Sequence, residues 1–321
     1  MAFTAQHGEE LAAIAALTRQ LDERTSQCLD ELGRIREAQG DGQGRRGHEP
    51  ILAFVHIPKT AGKTVITMLA AAYSKEGVQD AGNYGRNPER VGRKLTMPSK
   101  LQARVLAGHV PYGAFREHLS SDTRYMTFLR DPVDRVLSHY YRHLHRWRPK
   151  VQRSPRREQH RRETPGKVRP DRKPKADSIE EALVEMRMPE LNNFATRFLC
   201  GYTAPSEELP ATALDDAKEN LRSFAFVGIQ ERFEESLALL QRTLGLGQVP
   251  YTDRHVSSGH RRPTVEEIPE DQRALIEECN RLDAELYEFA LGAFEERVAS
   301  EGDSLAVDVE RLRAQNATAP Q

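Results

Sequence analysis

The chain has 321 residues, 38% of them hydrophobic, enough for one large domain or two small ones with a real core. Its 47 Lys/Arg and 48 Asp/Glu leave a formal net charge of −1, so overall charge singles out no polyanionic partner. The charge is nevertheless uneven: residues 142–175 hold fourteen Lys/Arg against three Asp/Glu, which leaves the remainder acidic.

Residues from about Glu9 to Gln39 read as one helix. Ile14, Leu21, Cys28 and Ile35 recur every seven residues, with Leu11 and Leu32 as companions and Thr18 and Thr25 between them. Such a half-polar seam could close a weak coiled-coil homodimer or pack on its own domain. The glycine-rich stretch from Gly40 to Gly47 then reads as a flexible linker, so residues 1–47 form an N-terminal helix and linker.

The main domain is expected at residues 48–298. Apolar runs at Ile51 to Ile57, Val105 to Ala107, Tyr125 to Leu129 and Phe224 to Ile229 look like buried strands, with helical patterns between or after them. This alternation predicts an α/β fold with a mainly parallel sheet flanked by helices. Ligands in such folds bind beyond the C-terminal ends of the strands.

The first run leads into Pro58-Lys59-Thr60-Ala61-Gly62-Lys63-Thr64 and then a helix. A helix start leaves backbone N–H groups unpaired and favours negative charge, so phosphate or sulfonate oxygens fit there. Gly62 allows close backbone approach, and Lys59 and Lys63 add point charges. The plainer reading is a structural turn with two solvated lysines. Gly62-Lys63-Thr64 also matches the end of a Walker A loop, which opens a nucleotide kinase or ATPase reading, but the first glycine of that motif is Ile57 here.

Further along, Leu106-Ala-Gly-His-Val-Pro-Tyr112 places His109 at a strand end before a turn. Histidine is well matched to removing an alcohol proton near neutral pH. His56 is second choice, since from within a strand it reads as a packed core residue. In Thr127-Phe-Leu-Arg-Asp-Pro-Val-Asp-Arg-Val-Leu-Ser138, Asp131 suits a helix N-cap, Pro132 the first helical position and Asp134 the acid of a capping box. Arg130 then stands at a strand end, and Arg135 and Ser138 share a helix face. A capped helix with a surface arginine is the plain alternative.

From Trp147 to about Ala176 the chain carries five prolines and almost no apolar residues. It reads as a solvated insertion or as an electrostatic collar that draws in a polyanionic acceptor or a charged nucleotide. Arg261 and Arg262 fall on a loop after His255-Val-Ser-Ser258, and residues 299–321 read as a C-terminal tail.

His56-Ile-Pro-Lys-Thr-Ala-Gly62 resembles the 5′-phosphosulfate loop of carbohydrate sulfotransferases, and Thr127 to Tyr141 resembles their 3′-phosphate motif. The resemblance continues through Asn192–Gly201, Phe226–Leu237 and Asn280–Phe289. It implies a three-layer P-loop-like fold and a donor, 3′-phosphoadenosine 5′-phosphosulfate (PAPS), with no metal. Lys59, Thr60, Ala61, Gly62, Lys63 and Thr64 would bind the donor's 5′ side, and Arg130 and Ser138 its 3′-phosphate. Family members usually carry Thr or Ser where this chain has Lys63, whose role stays open.

Arg261-Arg-Pro-Thr264 is similar to the basic loop that closes over the nucleotide. His109 matches the second His of a His-Gly-His-Val motif in uronyl 2-O-sulfotransferases, where it is the general base; the first is Ala107 here. Glu231 is an outside alternative, although Gly228, Glu231 and Phe233 read as structural. The acceptor implied is a hydroxyl, most simply on a carbohydrate.

Cys28, Cys200 and Cys279 form no CxxC pair and no even-numbered framework, the usage of a reducing compartment. No run approaches the roughly 20 apolar residues of a membrane span. A bacterial-type cytoplasmic enzyme is expected, or a Golgi-lumen enzyme whose membrane anchor has been removed.

Overall fold

The computed structural model describes residues 50–84, 88–147, 176, 178–201, 208–247, 249–251 and 262–318. The seam from Leu11 to Ile35, the basic stretch 148–175 and Arg261 lie outside the described residues.

Five strands form one parallel sheet: β1 (Leu52–Val55), β2 (Val78–Asn83), β3 (Val105–His109), β4 (Arg124–Leu129) and β5 (Phe226–Ile229), in the order β2-β3-β1-β4-β5. The register pairs Leu52 with Val105 on one side and with Arg124 on the other, so β1 is central. Every residue of β1 is buried, as a strand covered on both faces requires. The mainly parallel α/β fold predicted above is therefore present.

The strand missing from the sequence reading is β2. Its sequence, Val-Gln-Asp-Ala-Gly-Asn, buries Ala81 alone and lies at the sheet edge, where one side needs no partner. The register slips between Asp80 and Gly82, and Gly82 has φ 106°. A polar edge strand with a bulge carries no apolar signal.

Helix α1 (Gly62–Gly77) carries the chain from β1 to β2. Two short helices, α2 (Pro88–Leu95) and α3 (Pro98–Leu101), lead to β3, and α4 (Tyr112–His118) leads on to β4. After β4 comes α5 (Pro132–Trp147), then α6 (Phe194–Leu199) and α7 (Ala213–Ser223) before β5. The chain closes with α8 (Phe233–Thr243), α9 (Glu270–Cys279), α10 (Arg281–Glu301) and α11 (Asp303–Thr318).

The connection leaving β1 runs towards β2, whereas those leaving β3 and β4 run the other way. Right-handed crossovers then put them on opposite faces and open a crevice beyond the strand ends around β1. The stretch expected as a tail holds α11 instead, which packs on α8 and buries Leu305, Val309 and Leu312. Among the described residues no helix is long and apolar enough to cross a membrane.

Two segments singled out in the sequence, Asn192–Gly201 and Asn280–Phe289, cap each other's helices. Asn193 Oδ1 accepts from the N–H groups of Leu282 and Asp283 at the start of α10. Asp283 in return accepts from Ala195, from the Thr196 N–H and from the Thr196 hydroxyl at the start of α6. Arg135 of α5, 1% exposed, brings its Nη2 to 3.6 Å from Asp283 and donates to the Glu190 carbonyl at 2.9 Å. This locks α5 to the capped pair, so Arg135 is a buried tie while Ser138, three residues on, is half-buried.

Candidate functional site

The β1–α1 loop turns on two non-glycine residues in the left-handed region, Lys59 with φ 77° and Ala61 with φ 58°, with Thr60 between them. Holding such residues there costs on the order of 1–2 kcal/mol each, and the conformation turns successive N–H groups inward. Thr60 steadies the turn by donating to the Ile57 carbonyl at 2.9 Å. Ala61 is the N-cap of α1 and offers no side-chain cap. Among the described residues the N–H groups of Gly62 and Lys63 meet no protein acceptor, which leaves them for an anion.

Gly62 is required for a reason beyond anion approach. A Cβ there would stand 2.1 Å from His56 Nε2, because the His56 ring lies across the helix start. Ile57, at the place of the first Walker glycine, is fully buried and does not take a positive φ. Among the described residues nothing favours the kinase or ATPase reading.

Arg130 follows β4 and donates from Nη1 to the Lys59 carbonyl at 3.1 Å, tying the second motif to the first. Its Nε donates to Asp134 Oδ2 at 2.8 Å, and its Nη2 pairs with the same oxygen. Asp134 Oδ1 lies 2.5 Å from Arg262 Nη1. Arg262 is thus brought to Arg130.

Burial, then the charges of Arg142, Arg130, Arg262 and Lys63, lower the Lys59 pKa to about 8. Five cations therefore gather at the mouth of one loop. Ser138 and Arg142 continue the α5 face that starts at Asp134, at successive four-residue steps.

Asp131 is the N-cap expected, accepting from the Asp134 N–H at 2.8 Å. The capping-box expectation for Asp134 is corrected, because its carboxylate faces the two arginines. Glu231 takes that place, with Oε1 accepting from the Asp131 N–H at 3.1 Å and Oε2 from the Tyr287 hydroxyl at 3.0 Å. Glu231 is therefore a structural residue.

On the other side of β1, His109 ends β3 beside His56. Their ring centroids are 4.3 Å apart, and His109 Nδ1 lies 2.7 Å from the His56 carbonyl oxygen. A carbonyl only accepts, so Nδ1 carries a proton, and in the neutral ring Nε2 is then the nitrogen with the lone pair. His56 is 7% exposed and stacks on Phe54 at 5.2 Å. Burial, then the charges of His109 and Lys63, hold its pKa well below the usual imidazole value, so it stays neutral.

Sequence reasoning missed the Asp134–Arg262 pair and the nearness of Arg142 to Lys59. The first joins parts of the chain far apart in sequence and carried no local signal, although the four-residue spacing marks the Arg130–Asp134 pair beside it; the helical step from Asp134 to Arg142 was the signal for the second.

The chain is 35% identical over 186 residues to heparan-sulfate 6-O-sulfotransferase 2 of Danio rerio, covering 54% of this chain and 38% of that protein. It is 31% identical over 190 residues to the protein of the same name in Gallus gallus, covering 54% and 44%. It is 26% identical over 266 residues to heparan sulfate 2-O-sulfotransferase 1 of Mus musculus, covering 76% and 70%. The chain thus spans less than half the length of the two 6-O relatives. A model of the sulfotransferase family matches residues 47–290, from ahead of β1 into α10, and so includes the anion loop, His109, Arg130 and both capping segments: the chain belongs to the sulfotransferase family.

Proposed function

We propose that the protein transfers a sulfuryl group from PAPS to a hydroxyl of a carbohydrate or glycoconjugate by in-line displacement. The observation that carries this reading is the placing of an anion loop ringed by cations and a base-competent histidine on adjacent strand ends, His109 on β3 and Lys59 after β1. The loop fits the donor: its inward N–H groups and cations match a 5′-phosphosulfate, and Arg130, Ser138 and Arg262 match a phosphate on the 3′ side. PAPS supplies an activated sulfuryl group whose leaving group is a phosphate.

His109 Nε2 takes the proton of the acceptor hydroxyl as that oxygen bonds to sulfur. The bond from sulfur to the phosphate oxygen breaks, and Lys59 stabilises the charge that grows there. His56 fixes the His109 tautomer through its carbonyl and adds no charge of its own. The named acceptor of the relatives, heparan sulfate, supports a sugar hydroxyl. Among the described residues Cys200 and Cys279 form no disulfide, which supports a reducing setting such as the cytoplasm.

The test is a thermal-shift comparison of 3′,5′-ADP with Mg-ATP. Ligand at a hundred times its Kd adds about 2.7 kcal/mol of stability. A shift with 3′,5′-ADP alone supports the reading, and a shift with Mg-ATP alone overturns it.

A further inference from the structure

Asp134 is a carboxylate in a place that the chemistry above reserves for anions from outside. Arg130 and Arg262 pair with it directly, and the charges of these two, of Arg142 and of Lys63 all act on Lys59, whose carbonyl Arg130 also holds. Its two oxygens are divided: Oδ2 takes the Nε and Nη2 groups of Arg130, and Oδ1 takes Nη1 of Arg262. Arg130 is 10% exposed, Asp134 22% and Arg262 25%, so the triad is half-sheltered and its charges are poorly screened. Two guanidinium groups repel at such range unless an anion lies between them. Arg262 also belongs to a distant part of the chain, and beyond Asp134 its described hydrogen bond is to its own neighbour, the Pro263 carbonyl, at 3.3 Å.

Asp134 is not needed for helix capping, since Asp131 and Glu231 satisfy the start of α5. Nor does it sit at the reacting centre, which lies towards His109 across β1. What it does is hold Arg130 by two of its N–H groups while Nη1 stays on the Lys59 carbonyl, and hold Arg262 alongside. Arg130 spends three of its five N–H groups on these partners and Arg262 two, so both guanidinium groups keep donors for a further anion.

We propose that Asp134 is the positioning residue of the nucleotide site, a built-in anion that pairs Arg130 with Arg262 so that together they select a ribose 3′-phosphate. This rests on the reading of Arg130 as a 3′-phosphate ligand. It predicts that Asp134 governs discrimination between nucleotides and leaves contacts with the 5′ side untouched.

The experiment is calorimetric titration of the full chain and its variants with 3′,5′-ADP and with 5′-AMP, which lacks only the 3′-phosphate. In the native protein 3′,5′-ADP binds more tightly. In Asp134→Ala the ratio of the two affinities falls about tenfold or more, the loss expected for a charge-assisted contact, while 5′-AMP affinity holds. Arg262→Met shows the same fall, and the double variant falls no further than either single one, because both changes break one unit. Asp134→Glu restores most of the ratio.

A ratio unchanged in Asp134→Ala, or one that rises because the carboxylate only repelled the phosphate, overturns the proposal. So does full additivity in the double variant. If the native protein itself fails to prefer 3′,5′-ADP, the fault lies with the reading of Arg130. If Asp134→Ala does not fold, Arg262→Met and Asp134→Glu decide the matter.

Discussion

In the proposed reaction His109 and Lys59 meet opposite demands on a proton. His109 would accept one at Nε2, an arrangement the His56 carbonyl favours by holding the other nitrogen as a donor. His109→Ala is therefore expected to keep 3′,5′-ADP affinity and lose turnover by roughly 10²–10⁴-fold, as measured by sulfate transfer to an acceptor sugar. Activity surviving within a fewfold would point to another base.

Lys59 must be charged to hold an anion, yet burial and four neighbouring cations bring its pKa to about 8. Its cationic form is present below that value and is lost as pH rises through it. Affinity for 3′,5′-ADP should fall above about pH 8, and a bound anion should pull a proton back onto Lys59. Titration calorimetry at pH 8 in buffers of different ionisation enthalpy reads this as uptake of roughly half a proton. Lys59→Arg removes both the uptake and the decline, since its guanidinium stays protonated. Arg130→Ala should cost roughly 1.5–3 kcal/mol of 3′,5′-ADP binding, the worth of a hydrogen bond to a charged group.

Among the elements, α5 is the one that the proposed site depends on, because it carries Asp134 and Ser138 together with the buried Arg135. Arg135 and Asp283 are each 1% exposed, and the same Asp283 caps α6. Removing one partner leaves a buried charge, so Arg135→Met or Asp283→Asn is expected to lower stability by about 3–5 kcal/mol in urea unfolding. A loss below about 1 kcal/mol would mean that the capping bonds alone hold α6 and α10 together.

The central strands were legible because β1, β3 and β4 are buried apolar runs. β2 was not, because an edge strand with a bulge needs few apolar residues. The anion loop and Arg130 were legible as local motifs with a physical purpose. Asp134 was misread as a capping acid because its true partner, Arg262, comes from far along the chain, and only folding brings the two together.

At the scale of the whole molecule, charge is sorted along the chain. The stretch 142–175 carries fourteen basic residues against three acidic, and the rest of the chain is acidic in balance. Arg142, the first of these, stands close enough to lower the Lys59 pKa. A sulfated sugar approaching this loop would be drawn by that charge and repelled by the acidic remainder. Long-range attraction of this kind raises encounter rates and fades over a Debye length of about 8 Å at physiological salt. Deleting residues 148–175 should therefore raise KM for a sulfated oligosaccharide at low salt, flatten the dependence of KM on ionic strength, and leave 3′,5′-ADP affinity unchanged. Nucleotide affinity lost with the deletion would mean instead that the stretch is part of the donor site, and an unchanged KM would remove it from acceptor capture.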